Sequence, residues 1–128
     1  MKLPIDIRKD NGVPIYVQFE DQMRALIRCG KLKPGMPIPT VRETAVEMGI
    51  NYNTVARIYR DLQREGFLKL SRGVGTFVSE DVPLGPSRPE GSPELEQHIT
   101  RLVELARENG LQKSDLINLV AFSWNEQR

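Results

Sequence analysis

Tyr52, Asn53, Thr54 and Arg57 share the first turns of one predicted helix, off its apolar face. These residue types suit hydrogen bonding to base edges. Asparagine matches adenine, arginine matches guanine, and threonine reaches a base or a phosphate. The positive end of a helix also favours a phosphate oxygen. On an isolated helix the same residues would make an ordinary solvated face, so the surrounding elements decide between the two. Arg42 points outward from the first turn of the preceding helix, and Arg72-Gly73-Val74-Gly75 sits in a later turn. Glycines let such a turn approach a sugar-phosphate backbone, and arginine can enter a minor groove. The run lacks the full glycine spacing and the following helix of a nucleotide-binding loop.

Other chemistries find little support. Cys29 and His98 are each single in the sequence, so neither a disulfide nor a metal site is expected. No serine, histidine and acid are grouped for nucleophilic catalysis. We expect no cofactor and no enzyme activity. Charged residues make up 27% of the 128. No apolar run approaches the ~18 residues of a membrane span. Met1 to Asp6 lacks the apolar core of a signal peptide, so a cytoplasmic location without a membrane partner is expected. The net charge of +1 divides unevenly. Residues 1–79 carry 13 basic and 8 acidic side chains, whereas residues 80–128 carry 5 and 9. The first part is suited to a polyanion and the second is not.

The elements that must position these residues follow from spacing. Leu3, Ile5 and Ile7 alternate with polar residues and predict an edge strand. Pro14 opens a helix in which Ile15, Phe19, Met23, Leu26 and Ile27 recur at helical spacing, and Gly30 closes it. Lys31 to Pro39 reads as a loop. Thr40-Val41-Arg42-Glu43 fits a capping box and starts a helix to Met48, with Val41, Ala45 and Met48 inward. Gly49 turns the chain, Ile50 plugs the core, and Asn51 caps a third helix whose buried stripe is Val55, Ile58, Tyr59 and Leu62. Residues 67–71 and 76–79 flank the glycine turn as a hairpin. Residues 81–93 hold four of the nine prolines and read as a linker. Beyond it, one helical stripe holds Leu95, Ile99, Leu102, Val103 and Ala106, and a second holds Leu116, Ile117, Val120 and Trp124. Two helices of about 15 residues cannot bury both stripes within themselves, so they need a partner surface.

Several motifs fall in order along the chain: Pro14-Ile15-Tyr16-Val17-Gln18-Phe19, Leu32-Lys33-Pro34-Gly35, Pro39-Thr40-Val41-Arg42-Glu43, Asn53-Thr54-Val55 with Tyr59 and Leu62, Gly66, and Gly73-Val74-Gly75-Thr76-Phe77-Val78. Together they resemble the winged-helix domain of GntR-type bacterial repressors. The short two-helix tail and Ile50-Asn51-Tyr52-Asn53-Thr54-Val55 resemble the YtrA-like subfamily. The resemblance implies a homodimer, joined through the tail, that binds an inverted-repeat operator in double-stranded DNA. Such proteins often control transporter operons. It also implies that Arg42, Asn51, Tyr52, Asn53, Thr54, Arg57, Arg72, Gly73 and Gly75 lie at the DNA face, where Thr40 is expected as well. Tyr52 departs from the proline, serine or arginine common there, and Pro39-Thr40 replaces the usual Pro-Ser. The first bears on which bases are read; the second keeps a capping hydroxyl.

The expected fold is mainly α with a small β wing: a winged helix-turn-helix over 1–79, a linker over 80–93, and a helical dimerisation segment over 94–128. A small-molecule effector, if one acts, is expected at the dimer interface, because a tail of about 35 residues encloses no pocket of ~300 Å³ by itself. The competing expectation is a winged helix that binds proteins and has no specific duplex. Salt-sensitive duplex binding separates the two.

Overall fold

The computed structural model describes residues 2–82 and 93–127. Most of the expected linker therefore lies outside the described residues. The chain divides into a first unit, Met1–Gly91, and a second, Ser92–Arg128.

In the first unit, α1 (Ile15–Arg28), α2 (Val41–Met48) and α3 (Tyr52–Arg64) pack with a sheet of β1 (Pro37–Ile38), β2 (Leu68–Ser71) and β3 (Gly75–Val78). The strands run antiparallel in the order β1-β3-β2, with Lys69 opposite Phe77 and Ile38 opposite Thr76. Phe19, Met23 and Ile27 of α1 meet Val55, Ile58, Tyr59 and Leu62 of α3, and each is buried. Both sets recur every three to four residues, which places each on one side of its helix. Leu32, Ile38, Ile50, Phe67, Leu68 and Val78 close the core from the loops and sheet.

A buried polar pin sets α2 against α3. The Tyr59 hydroxyl donates to the Pro39 carbonyl at 2.8 Å and lies 2.7 Å from Thr44 Oγ1. Since the phenol has one proton, Thr44 must donate to Tyr59. Burial pushes the Tyr59 phenol up to about 12, against a lowering contribution from Thr44. Thr44 is thus the deepest residue of α2. Val41, Ala45 and Met48, expected inward, pack only at the edge of the core.

Two local expectations are corrected. Leu3, Ile5 and Ile7 form no strand. Gln22 pairs through its side-chain amide with both backbone groups of Asp6, at 2.9 and 2.7 Å. Gln18 does the same to Arg8, at 2.8 and 2.7 Å. Two glutamines one turn apart on α1 replace the neighbouring strand, while Leu3 still reaches the core. Conversely, the loop expected over 31–39 contains β1. Pro37 lacks an N–H, but at a sheet edge that loss is tolerated. Gly35 N–H donates to the Val78 carbonyl at 2.8 Å and carries the pairing one step further.

In the second unit, α4 (Pro93–Glu108) and α5 (Lys113–Glu126) are joined through Gly110, whose φ of +72° suits a residue without a Cβ. Gln112 and Asp115 form a capping box at the start of α5. Ala106 is buried, and Val103 and Leu116 are half-buried. Leu95, Ile99, Leu102, Ile117, Val120 and Trp124 stay exposed, Trp124 at 77%. Leu105, Leu119 and Phe122, outside the predicted stripes, are exposed as well. Ala106, which the stripe assigned to a partner surface, is therefore covered within the single chain. No described helix is long and apolar enough to cross a membrane.

Candidate nucleic-acid interface

The capping box of α2 forms as its sequence predicts. Glu43 N–H donates to Thr40 Oγ1 at 3.2 Å, and Thr40 Oγ1 in turn donates to Glu43 Oε1 at 3.0 Å. Both roles of the Thr40 hydroxyl are filled by the cap. Thr40, expected at the DNA face, thus has its hydroxyl already engaged in the helix cap. The cap leaves Arg42 exposed in the first turn of α2.

Gly49, at φ +64°, turns the chain from α2 into α3. Asn51 Oδ1 accepts the Asn53 N–H at 2.8 Å and caps α3. That oxygen is committed to the helix, which leaves the amide NH₂ of an exposed residue for an outside acceptor. Tyr52 and Asn53 are exposed, and Thr54 is half-buried. The wing is a three-residue loop, Arg72-Gly73-Val74, with Ser71 paired to Gly75. Gly73 has φ +79° and nothing within 4 Å of where a Cβ would stand, so backbone conformation rather than crowding selects glycine there. Gly75 belongs to β3 rather than to the turn; at φ +140°, an added Cβ would lie 3.6 Å from the Phe77 ring.

An open groove joins these pieces. Thr40 and Arg42 of the α2 start, Tyr52 of α3, and Arg72, Gly73 and Val74 of the wing line it together. The fold thus gathers residues separated by some thirty positions in the chain. Arg57 is not part of that groove. Its guanidinium lies 4.8 Å over the ring of Tyr16 in α1, with Nε 3.8 Å from Asp61 Oδ2. Tyr16 was missed by sequence reasoning. Its place in the Pro14-Ile15-Tyr16 run was visible, but a contact across 41 positions was not.

Behind the face, Arg24 makes a forked pair to Glu65 at 2.9 and 3.1 Å, which ties α1 to the end of α3. Glu65 holds the Arg24 guanidinium above its ordinary range. Glu20 is buried nearby with Oε1 unpartnered, and burial followed by the Asp61 charge pushes its carboxyl up. No group of three or more His, Cys, Asp or Glu among the described residues is placed to hold a metal ion.

The profile of "Bacterial regulatory proteins, gntR family" matches residues 15–78, from the start of α1 to the end of β3. Over 77 residues the chain is 43% identical to the HTH-type transcriptional repressor YtrA of Bacillus subtilis (strain 168). That match covers 60% of this chain and 59% of the repressor, so it speaks for part of each. A solved structure, YtrA from Sulfolobus acidocaldarius, a GntR-family transcription factor, is similar at a TM-score of 0.56 and 28% identity, covering 95% of this chain and 97% of that one. AraR(DBD) in complex with operator ORX1 is similar at a TM-score of 0.53 and 28% identity, covering 62% and 99%. With half of its length matched by the family profile, the chain belongs to the gntR family of bacterial regulatory proteins.

Proposed function

We propose that this chain is a transcription regulator that binds operator DNA as a homodimer and represses the genes it controls. The observation that carries the reading is the groove joining Arg42, Tyr52, Arg72 and Gly73 beside the exposed first turn of α3. A recognition helix presents its N-terminal residues to base edges, and a wing reaches the adjoining backbone. Asn51, Asn53 and Thr54 would read bases or position phosphates, while Arg42, Arg57 and Arg72 would hold the backbone. Thr40 acts by capping α2, and Gly75 by shaping the wing. The operator complex of AraR(DBD) supports duplex DNA as the partner class, and the name of the Bacillus subtilis relative supports repression.

The homodimer rests on the tail. Leu95, Ile99, Leu102, Ile117, Val120 and Trp124 leave apolar surface that a second copy would cover, with Val103, Ala106 and Leu116 packed behind. Two copies would set their recognition helices roughly 34 Å apart, one helical turn, on an inverted repeat. An effector, where one acts, would be held between the two subunits. The working site is the cytoplasm, where the DNA is.

Fluorescence anisotropy on a labelled duplex from the chain's own upstream promoter, in a salt series with scrambled competitor, tests the reading. Binding that survives competitor and weakens with salt is expected. No duplex binding even at low salt would leave the winged helix as a protein-interaction module.

A further inference from the structure

We propose that Tyr16 of α1 is a positioning residue that holds Arg57 ready for a DNA phosphate beside the first turns of α3; this rests on the DNA-binding reading above. The Arg57 guanidinium lies over the Tyr16 ring at 4.8 Å, and its Nε faces Asp61 Oδ2 at 3.8 Å. Asp61 is itself held by Arg64 Nη2 at 2.9 Å. Tyr16 packs partly buried against the core, so the fold fixes its ring. The ring takes one face of the guanidinium, and Asp61 stands near Nε as a loose ion pair, too far for a hydrogen bond. The two terminal nitrogens remain, on a side chain still 60% exposed.

A planar fork with two free terminal nitrogens matches a phosphate. An arginine loose in water would lose rotamer freedom on binding one, and the ring contact lowers that cost by favouring one placement of the guanidinium. The ring face orients the cation without neutralising it. Arg57 follows Asn53 by four residues, so both lie on one side of α3. A phosphate held at Arg57 would flank whatever Asn53 reads. Arg72, by contrast, belongs to the groove on the wing side. The first turns of α3 thus have a cation in the groove and another, supported by α1, outside it.

The test is a double-mutant cycle on an operator selected from a random duplex library with the full-length protein. If selection enriches nothing and binding shows no salt dependence, the DNA-binding reading itself fails. With an operator in hand, Arg57→Ala is expected to weaken binding about tenfold and to lower the salt slope by about one. Tyr16→Leu is expected to weaken it about threefold to fivefold. The double variant should bind no worse than Arg57→Ala alone, and Tyr16→Phe, which keeps the ring face, should bind like the parent. Additive losses in the double variant would make Tyr16 merely structural and overturn the proposal. So would an equal loss in Tyr16→Phe, which would assign the effect to the hydroxyl. Arg57→Ala alters only a surface side chain, so an unchanged salt slope in that variant overturns the proposal even if Tyr16→Leu fails to fold.

Discussion

The winged helix and the tail treat their apolar residues in opposite ways. In the first unit, Phe19, Met23, Ile27, Val55, Ile58 and Leu62 are buried without a second chain. What that unit leaves outside includes Arg42, Asn53, Arg57 and Arg72, along with the large apolar or aromatic Val13, Val46, Tyr52 and Val74. In the second unit, Phe122 and Trp124 are 66% and 77% exposed, and α5 also exposes Ile117, Leu119 and Val120. A helix apolar nearly all round belongs inside something. The difference teaches that exposed groups mean different things in the two units: the cationic cluster of the first suits a polyanion, and the run of large apolar side chains in the second suits another protein surface.

The largest effect should come from removing residues 93–128. The remaining winged helix should keep its fold and sediment as a monomer. Its operator affinity should fall about a hundredfold or more, because the second half-site loses its effective concentration. A truncated chain that still sediments as a dimer would break the contrast. Next, Trp124→Ala should weaken self-association by about 2 kcal/mol, as for a large aromatic anchor. Analytical ultracentrifugation across a dilution series measures it, and an unchanged dissociation constant would leave α5 without the assigned role.

Within the winged helix, Tyr59→Phe should destabilise the fold by about 1–3 kcal/mol by orphaning the Pro39 carbonyl and Thr44, read by urea denaturation. It should leave self-association untouched. The neutral phenol is favoured in the folded state, where its pKa is raised to about 12. Its stabilising contribution is therefore whole below its ordinary value near pH 10 and declines as pH rises through about 12. An alkaline melting series should show that decline in the parent and lose it in Tyr59→Phe.

The smallest effect belongs to Glu20. Its carboxyl is pushed up by burial and by Asp61. The folded state thus favours the neutral acid, and the contribution present at low pH is lost as pH rises through the raised value. Glu20→Gln should raise the melting temperature at pH 7 and change it little at pH 3.5. An equal shift at both would assign the gain to packing rather than charge.

Legibility followed the range of the interactions. The bounds of α2, the cap at Asn51, the buried stripe of α3 and the glycine hairpin could be read directly, because caps and helical periodicity are local. The strand expected at Leu3–Ile7 was not formed, because Gln18 and Gln22, far along the chain, took its backbone groups. The pairing of Pro37–Ile38 with β3 was hidden for the same reason, since its partners are some forty residues away. At the candidate interface, the polar residues were legible, but their division between a groove and the Tyr16–Arg57 pair was not.

By itself, then, the order of residues determined where helices start and stop and which faces are apolar, since both depend on neighbours within about four positions. Tertiary structure decided that the capped start of α2 lies beside the wing in one groove and that Tyr59 pins α2 to α3. It also decided that Arg57 rests on α1. Those outcomes depend on which side chains meet across distant segments, and hydrogen bonds and ring contacts form only where the packed core delivers both partners.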